Sequence, residues 1–438
     1  MNDVQPTPPL DFTRILTAWW PLALSWLLMG VELPMISAVV ARLPDQQVQL
    51  AAFGGVVFPL ALLVEAPVIM MLAASTALST NHEAFSVLKR FMGRTALIMT
   101  LIHVAFAFTP LYDIVLVPLL DIPEKVVEPA RLGFMIMLPW TWAIADRRFH
   151  QGLLIRFGHR NEVAIGTGVR LCATILVLAI GALLEFQGAV VAGSALSIST
   201  LSEAVYARIK SRKVIEGALL ASPVNDVVVR GRSLLAFYIP LAMSPFLVLA
   251  MQPIGAAGID RMANPIASLA VWAPLNGLVF LCRSAGVGFN EVVIGHYSHP
   301  GARASLRRFA WIVGGGFSLI LAVLSIPPVA RFWFGEVIGL DSDLIELGTM
   351  ILWMTIPIPL MTFLQSYYQG AAVDAHKTRY ITESVIAFFI VTTLFIVFGV
   401  LTQPLNGITA VVIATTIGNL IQTAWLWFRC RTKLELQP

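Results

Sequence analysis

Five ionisable side chains lie inside long apolar stretches of this 438-residue chain: Glu32, Glu65, His103, Arg170 and Arg283. Each costs about 2.5–3.5 kcal/mol to place in hydrocarbon, so each needs a reason. Glu32 stands in Gly30-Val31-Glu32-Leu33-Pro34. The proline removes a backbone hydrogen bond and leaves a carbonyl free one turn back. A carboxylate beside such a carbonyl can take up a proton or a sodium ion, which is the chemistry of ion coupling. Glu32 and Pro34 are the candidate ion-coupling pair. A carboxyl simply hydrogen-bonded to a neighbouring helix is the competing reading.

Glu65 precedes Pro67, and Arg283 lies deep in a later apolar stretch. The two fall at or beside equivalent places of an internal repeat. Opposite charges there would form either a gate that parts when one face opens or a static buried salt bridge. Arg170 follows Gly166-Thr167-Gly168-Val169. With Arg283, Arg147, Arg148 and His150 it would make a cationic lining, and arginine forks suit phosphate or carboxylate. For Arg147 and Arg148 snorkelling to the nearby surface is the favoured reading, for Arg170 less so. His103 completes the candidate cavity group of Arg170, Arg147 and His150. A lone histidine on an apolar face also fits a satisfied core residue.

The stretches carrying these groups set the class of the chain. Hydrophobic residues make up 58% of it and charged residues 12%, with mean hydropathy +0.81. Soluble domains carry about 25% charged residues. Apolar runs between short charged clusters read as helices crossing a bilayer, each of roughly 20 residues. Barrel strands would alternate polar and apolar, and these runs do not. The expected fold is an all-α polytopic membrane protein of about twelve helices. The first spans about 14–41, the second 48–79, the sixth 187–208 and the last 404–428.

The second half of the chain repeats the first. Trp20-Pro21-Leu22-Ala23 recurs as Ile239-Pro240-Leu241-Ala242, Pro34 as Pro253 and Arg42 as Arg261, all at an offset of 219. Pro110 recurs as Pro328, Pro139 as Pro357 and Gln151-Gly152 as Gln369-Gly370, at 218. Six helices per half make the repeats parallel, about an axis along the membrane normal. The expected organisation is a lobe over 1–208, a linker over 209–232 and a second lobe over 233–438. Met251 stands where the first half has Glu32, so the kink is copied and the carboxylate is not.

Basic residues cluster in alternate loops, among them Lys89, Arg90, Arg94, Arg156, Arg160, Lys210, Arg212, Arg307, Arg308 and Arg429. The opposite loops carry Asp113, Asp121, Glu124, Glu336, Asp341 and Asp343. The positive-inside rule then puts both termini in the cytoplasm and the chain in the cytoplasmic membrane. The polar stretch Met1–Pro9 lacks the pattern of a signal peptide. Cys172, Cys282 and Cys430 show no metal-ligand spacing. There is no phosphate-binding glycine loop, no zinc-protease motif and no clustered catalytic set, so an enzyme is not expected. Nucleic-acid binding is not indicated either, because the basic residues are loop anchors. No cofactor is expected beyond a proton or sodium gradient.

The chain resembles the multidrug/oligosaccharidyl-lipid/polysaccharide (MOP) flippase superfamily, which includes the MATE exporters. The likeness is carried by Ala41-Arg42-Leu43-Pro44, by Leu50-Ala51-Ala52, by His150-Gln151-Gly152 before a basic loop, and by Tyr368-Gln369-Gly370. Trp20-Pro21-Leu22-Ala23-Leu24 looks closest to the progressive-ankylosis branch. The resemblance implies two six-helix lobes around a central cavity, alternating access and ion coupling. One MATE branch uses a carboxylate in its first helix, for which Glu32 is the match. The carboxylates that other branches use in the seventh and tenth helices have no match here. The expectation is an ion-coupled secondary exporter of a small organic or anionic solute, acting as a monomer among membrane lipids. A flippase for lipid-linked oligosaccharide is the alternative, and a polytopic membrane enzyme is a more distant one.

Overall fold

The computed structural model describes residues 11–222, 230–297, 299, 301–375, 377–403 and 405–433. Met1–Pro9 and residues 223–229 of the linker lie outside them. The described residues form helices and no strand. Eleven segments among them are long and apolar enough to cross a membrane. They are α1 (Phe12–Val40), α2 (Gln46–Glu65), α3 (His82–Phe108), α5 (Arg160–Leu183), α6 (Gly188–Leu219), α7 (Gly231–Asp260), α8 (Pro265–His296), α9 (Ala302–Leu324), α10 (Ser342–Asp374), α11 (Arg379–Thr402) and α12 (Gly407–Arg431). The twelfth, α4 (Leu138–Arg156), continues from Glu124–Ile136. It is less apolar because it carries Asp146, Arg147, Arg148 and Arg156.

Local chemistry sets the ends and breaks. Asp11 and Asn81 cap α1 and α3, each accepting from a backbone N–H three residues on at 2.9 Å. Near Pro67 the second helix breaks into a turn over 66–70 before resuming as Met71–Leu78. The continuous helix expected over 48–79 is therefore two pieces. In contrast, α6 runs past the expected end at 208, through Arg212 and Lys213 in its last α-helical turn and a π-helical turn to Leu219. Cations there favour the carboxyl end of the helix dipole.

The duplication is visible in the backbone itself. Left-handed residues recur in pairs: Asp45 with Asn264, Asp121 with Gly339, and Glu185 with Gln403. Gly54 faces Ala273, its own repeat counterpart, so the pseudo-two-fold axis passes between them. A Cβ on Gly54 would lie 2.5 Å from the Ala273 Cβ. The halves thus meet along α2 and α8 on the axis, with α1 packed on α8 as well.

The first helix of each half also crosses to the other half. Ile15, Trp19 and Ala23 of α1 sit in one apolar cluster with Phe289, Phe309 and Phe363. Trp19 Nε1 donates to Ala285 O at 2.9 Å. In α7, Tyr238 OH donates to Pro67 O at 2.6 Å. Trp19 corresponds to Tyr238 at an offset of 219, and Pro67 to Ala285 at 218. These paired contacts fix the repeat register around Glu65, which corresponds to Arg283.

Candidate functional site

The N-terminal half holds a buried charge network at positions whose repeat equivalents in the C-terminal half are neutral. Glu32 of α1 is 6% exposed. Arg170 of α5 grips it with a fork: Nε donates to Oε1 at 3.1 Å and Nη2 to Oε2. Thr174, one turn along α5, donates to Oε1 at 2.8 Å, and Ser199 of α6 at 3.4 Å. Arg170 also approaches Glu203 of α6 at 3.8 Å. Glu203 in turn accepts from Arg147 of α4 at 2.5 Å and from Gln151 at 2.9 Å. Glu32, Arg170, Glu203 and Arg147 therefore form one line of alternating charge across four helices. Removing one member would leave another charge buried and unmatched, which is the costly case.

The C-terminal half places neutral groups at the equivalent positions. Met251, Phe388 and Gln365 stand for Glu32, Arg170 and Arg147. Gln365 Nε2 donates to Asn419 Oδ1 at 3.3 Å and to Thr423 Oγ1 at 3.1 Å. The scaffold is symmetric and its charge is not.

Two arginines lie off this line. Among the described residues, Arg148 of α4 and Arg283 of α8 make no side-chain hydrogen bond and no salt bridge, and both are partly accessible. Glu65 is 5% exposed and, among the described residues, has no partner within salt-bridge distance. The cations acting on it are Arg148, Arg147 and Arg170, all of its own half. The expected Glu65–Arg283 ion pair is not formed in this conformation, although the register makes the two positions equivalent.

The other expected site residues are buried and bonded to their neighbours. His103 is fully buried, with Nδ1 bonded to Thr141 Oγ1 at 2.7 Å and Nε2 to Phe134 O at 2.8 Å. Its ring stacks on Phe134, with centroids 4.0 Å apart. It is enclosed in the core. His150 is also buried, held by Ser211 at 2.8 Å and lying 3.5 Å from Asp146. Arg208 forks onto that same Asp146. Arg147 does not snorkel, because at 3% exposure it is committed to Glu203. Asp146, Arg208, Thr174 and Ser199 were not legible as partners. The one available signal was helical spacing: Thr174 sits four residues after Arg170, and Gln151 four after Arg147.

A second feature lies at the end of the bundle that carries the acidic loops. Arg42, just past α1, donates to Ala38 O and Ile338 O at 2.7 Å and to Glu336 O at 2.6 Å. Arg261, just past α7, donates to Ala257 O at 2.8 Å and to Leu119 O at 2.6 Å. Each arginine thus spans from its own helix to a carbonyl of the opposite half. The two staples are repeat copies of one another. Gln46 adds a bond to Gly339 O at 2.7 Å on one side only.

No family model matches the chain, and no curated protein does. Solved structures do. An inward-facing multidrug-resistance MATE transporter of the MOP superfamily superposes with a TM-score of 0.71, at 14% identity over 95% of this chain and 99% of that one. An outward-facing MATE transporter gives 0.59, at 14% identity over 98% and 100%. A MOP-superfamily transporter from Pyrococcus furiosus, described by the reversed polarity of its binding pocket, gives 0.62, at 15% identity over 99% and 100%. The chain therefore has the MATE fold.

Proposed function

We propose that this chain is an ion-coupled secondary transporter that exports a small organic or anionic solute across the cytoplasmic membrane by alternating access. The one-sided charge network carries this reading. Three carboxylates, Glu32, Glu65 and Glu203, lie among the three arginines Arg147, Arg148 and Arg170. Among the described residues Arg148 makes no side-chain hydrogen bond and no salt bridge, and neither does Arg283 of the other half. That suits an anion. The same fold occurs in inward- and outward-facing neighbours, and the paired contacts between halves supply seams that can part in turn.

Glu32 is the coupling carboxylate in this scheme. Its fork on Arg170 competes with any anion for the same guanidinium. A proton on Glu32 frees Arg170, so proton and anion binding favour one another. For a multiply charged anion the membrane potential still drives export, at about 2.3 kcal/mol per charge per 100 mV. The side with the basic loops, and both termini, then face the cytoplasm.

The test is transport in proteoliposomes loaded with pyrophosphate, citrate or a cationic dye. Saturable movement of an anion is expected, with a pH dependence that Glu32→Gln abolishes. A Glu32→Gln protein that keeps the full pH dependence removes Glu32 from coupling. Flipping of a labelled lipid-linked oligosaccharide, with no soluble anion moved, would replace the reading by that of a flippase.

A further inference from the structure

Asp260 is the last residue of α7 and is 7% exposed. Neither carboxyl oxygen has a hydrogen-bond partner. It sits beside the Arg261 staple, and its counterpart in the first half is Ala41. The repeat therefore copied the staple and added a carboxyl to one copy. Its neighbours on the chain are packed: Gly258 faces Ile396 of α11 and Val411 of α12, Ile259 faces Gly407 of α12, and Arg261 reaches Leu119 O of the other half. The charged groups acting on Asp260 are Asp121 and Arg261. Arg261 is turned away from Asp260, onto Ala257 O and Leu119 O.

We infer that Asp260 is a proton-binding site that controls the seam closed by Arg261. An ionised carboxyl enclosed without a partner is strongly disfavoured, so the closed seam requires the proton. Once the proton leaves, the charge must find either Arg261 or water. Arg261 can reach the carboxylate only by releasing Leu119 O, and water can enter only if the halves part. Either route opens the seam. Ala41 gives the Arg42 staple no such control, so the two staples answer differently to pH. On the proposed orientation the seam faces outside, and external acid shuts it. This step rests on the alternating-access reading but not on any particular solute.

Lys125, which follows the Leu119–Asp121 segment, and Thr402, beside the Gln403 whose Nε2 donates to Arg261 O, are exposed on the two halves at this seam, and the distance between them reports its opening. With Cys172, Cys282 and Cys430 replaced by serine, spin labels at Lys125→Cys and Thr402→Cys are measured in liposomes from acid to alkaline pH. The expected result is one short distance in acid and a growing longer population in alkali. Asp260→Asn and Asp260→Ala cannot ionise, so both should keep the short distance throughout. Arg261→Gln should show the longer population at every pH. An Asp260→Asn protein that opens with pH as the parent does overturns the assignment, as does an Arg261→Gln seam indistinguishable from the parent. A seam that stays shut in every variant overturns the inference together with alternating access, whereas pH-blind opening overturns Asp260 alone.

Discussion

Trp19 and Tyr238 occupy the same place in the two halves, and each donates a hydrogen bond to the half it does not belong to. Their acceptors, Ala285 O and Pro67 O, are also equivalent. Two contacts related by a pseudo-two-fold axis should respond alike when each is removed. Tyr238→Phe keeps the ring and deletes only the donor, for an expected loss of about 0.5–1.5 kcal/mol. Trp19→Phe should cost more, because it also removes buried volume among Phe309, Phe317 and Phe363. Thermal melts of the detergent-solubilised protein measure both. A Tyr238→Phe melt unchanged from the parent would show that the crossing contact carries no stability.

Much of this fold was legible because its signals are long. Apolar runs gave the helices, and the matched prolines and arginines gave the repeat. The break near Pro67 and the extension of α6 depend on local balance, and the pattern of hydropathy does not carry them. The site was legible by residue type and not by partner. Glu32 and Arg170 stood out singly as ionisable groups in apolar stretches. Their pairing joins residues 138 apart in sequence, across two helices. His103 looks the same in sequence whether it lines a cavity or is enclosed. Only Thr141 and Phe134 decide that, and both belong to another part of the chain.

Arg147 and Glu203 are 3% and 1% exposed, so neither can be rescued by water. Arg147→Ala should destabilise the protein by up to about 3–5 kcal/mol, because enclosed Glu203 keeps only Gln151 and the more distant Arg170. The double change Arg147→Met with Glu203→Met should recover most of that loss, since no charge is stranded. The check is the melting temperature of the single and double variants. If the double variant melts no higher than Arg147→Ala, the loss comes from packing and not from a stranded charge.

Arg170 acts through the shape of its guanidinium as well as its charge. A lysine at 170 keeps the charge but cannot fork onto both oxygens of Glu32. Arg170→Lys should therefore fold, loosen Glu32 and weaken anion binding. A loss of about 1.4 kcal/mol corresponds to tenfold in affinity. Pyrophosphate titration of the purified protein reads it directly. Equal affinity in the parent and in Arg170→Lys would place the anion elsewhere, with Arg148 and Arg283 the next positions to change.

Gly54 is where the axis leaves no room for a side chain. Its missing Cβ would stand 2.5 Å from the Cβ of Ala273 and 3.2 Å from the Ala273 nitrogen. One neighbour is backbone of a packed helix, so the strain cannot be relieved by a rotamer change. Gly54→Ala should push α2 from α8 at a cost of about 1–3 kcal/mol, and Gly54→Val should cost more. Ala273→Gly removes the facing methyl. It should partly rescue Gly54→Ala but not the parent, because in the parent it only opens a gap. That crossed pattern, read from melting temperatures of the four proteins, is what direct contact across the axis requires. Simple additivity of the two changes would mean that the residues do not touch.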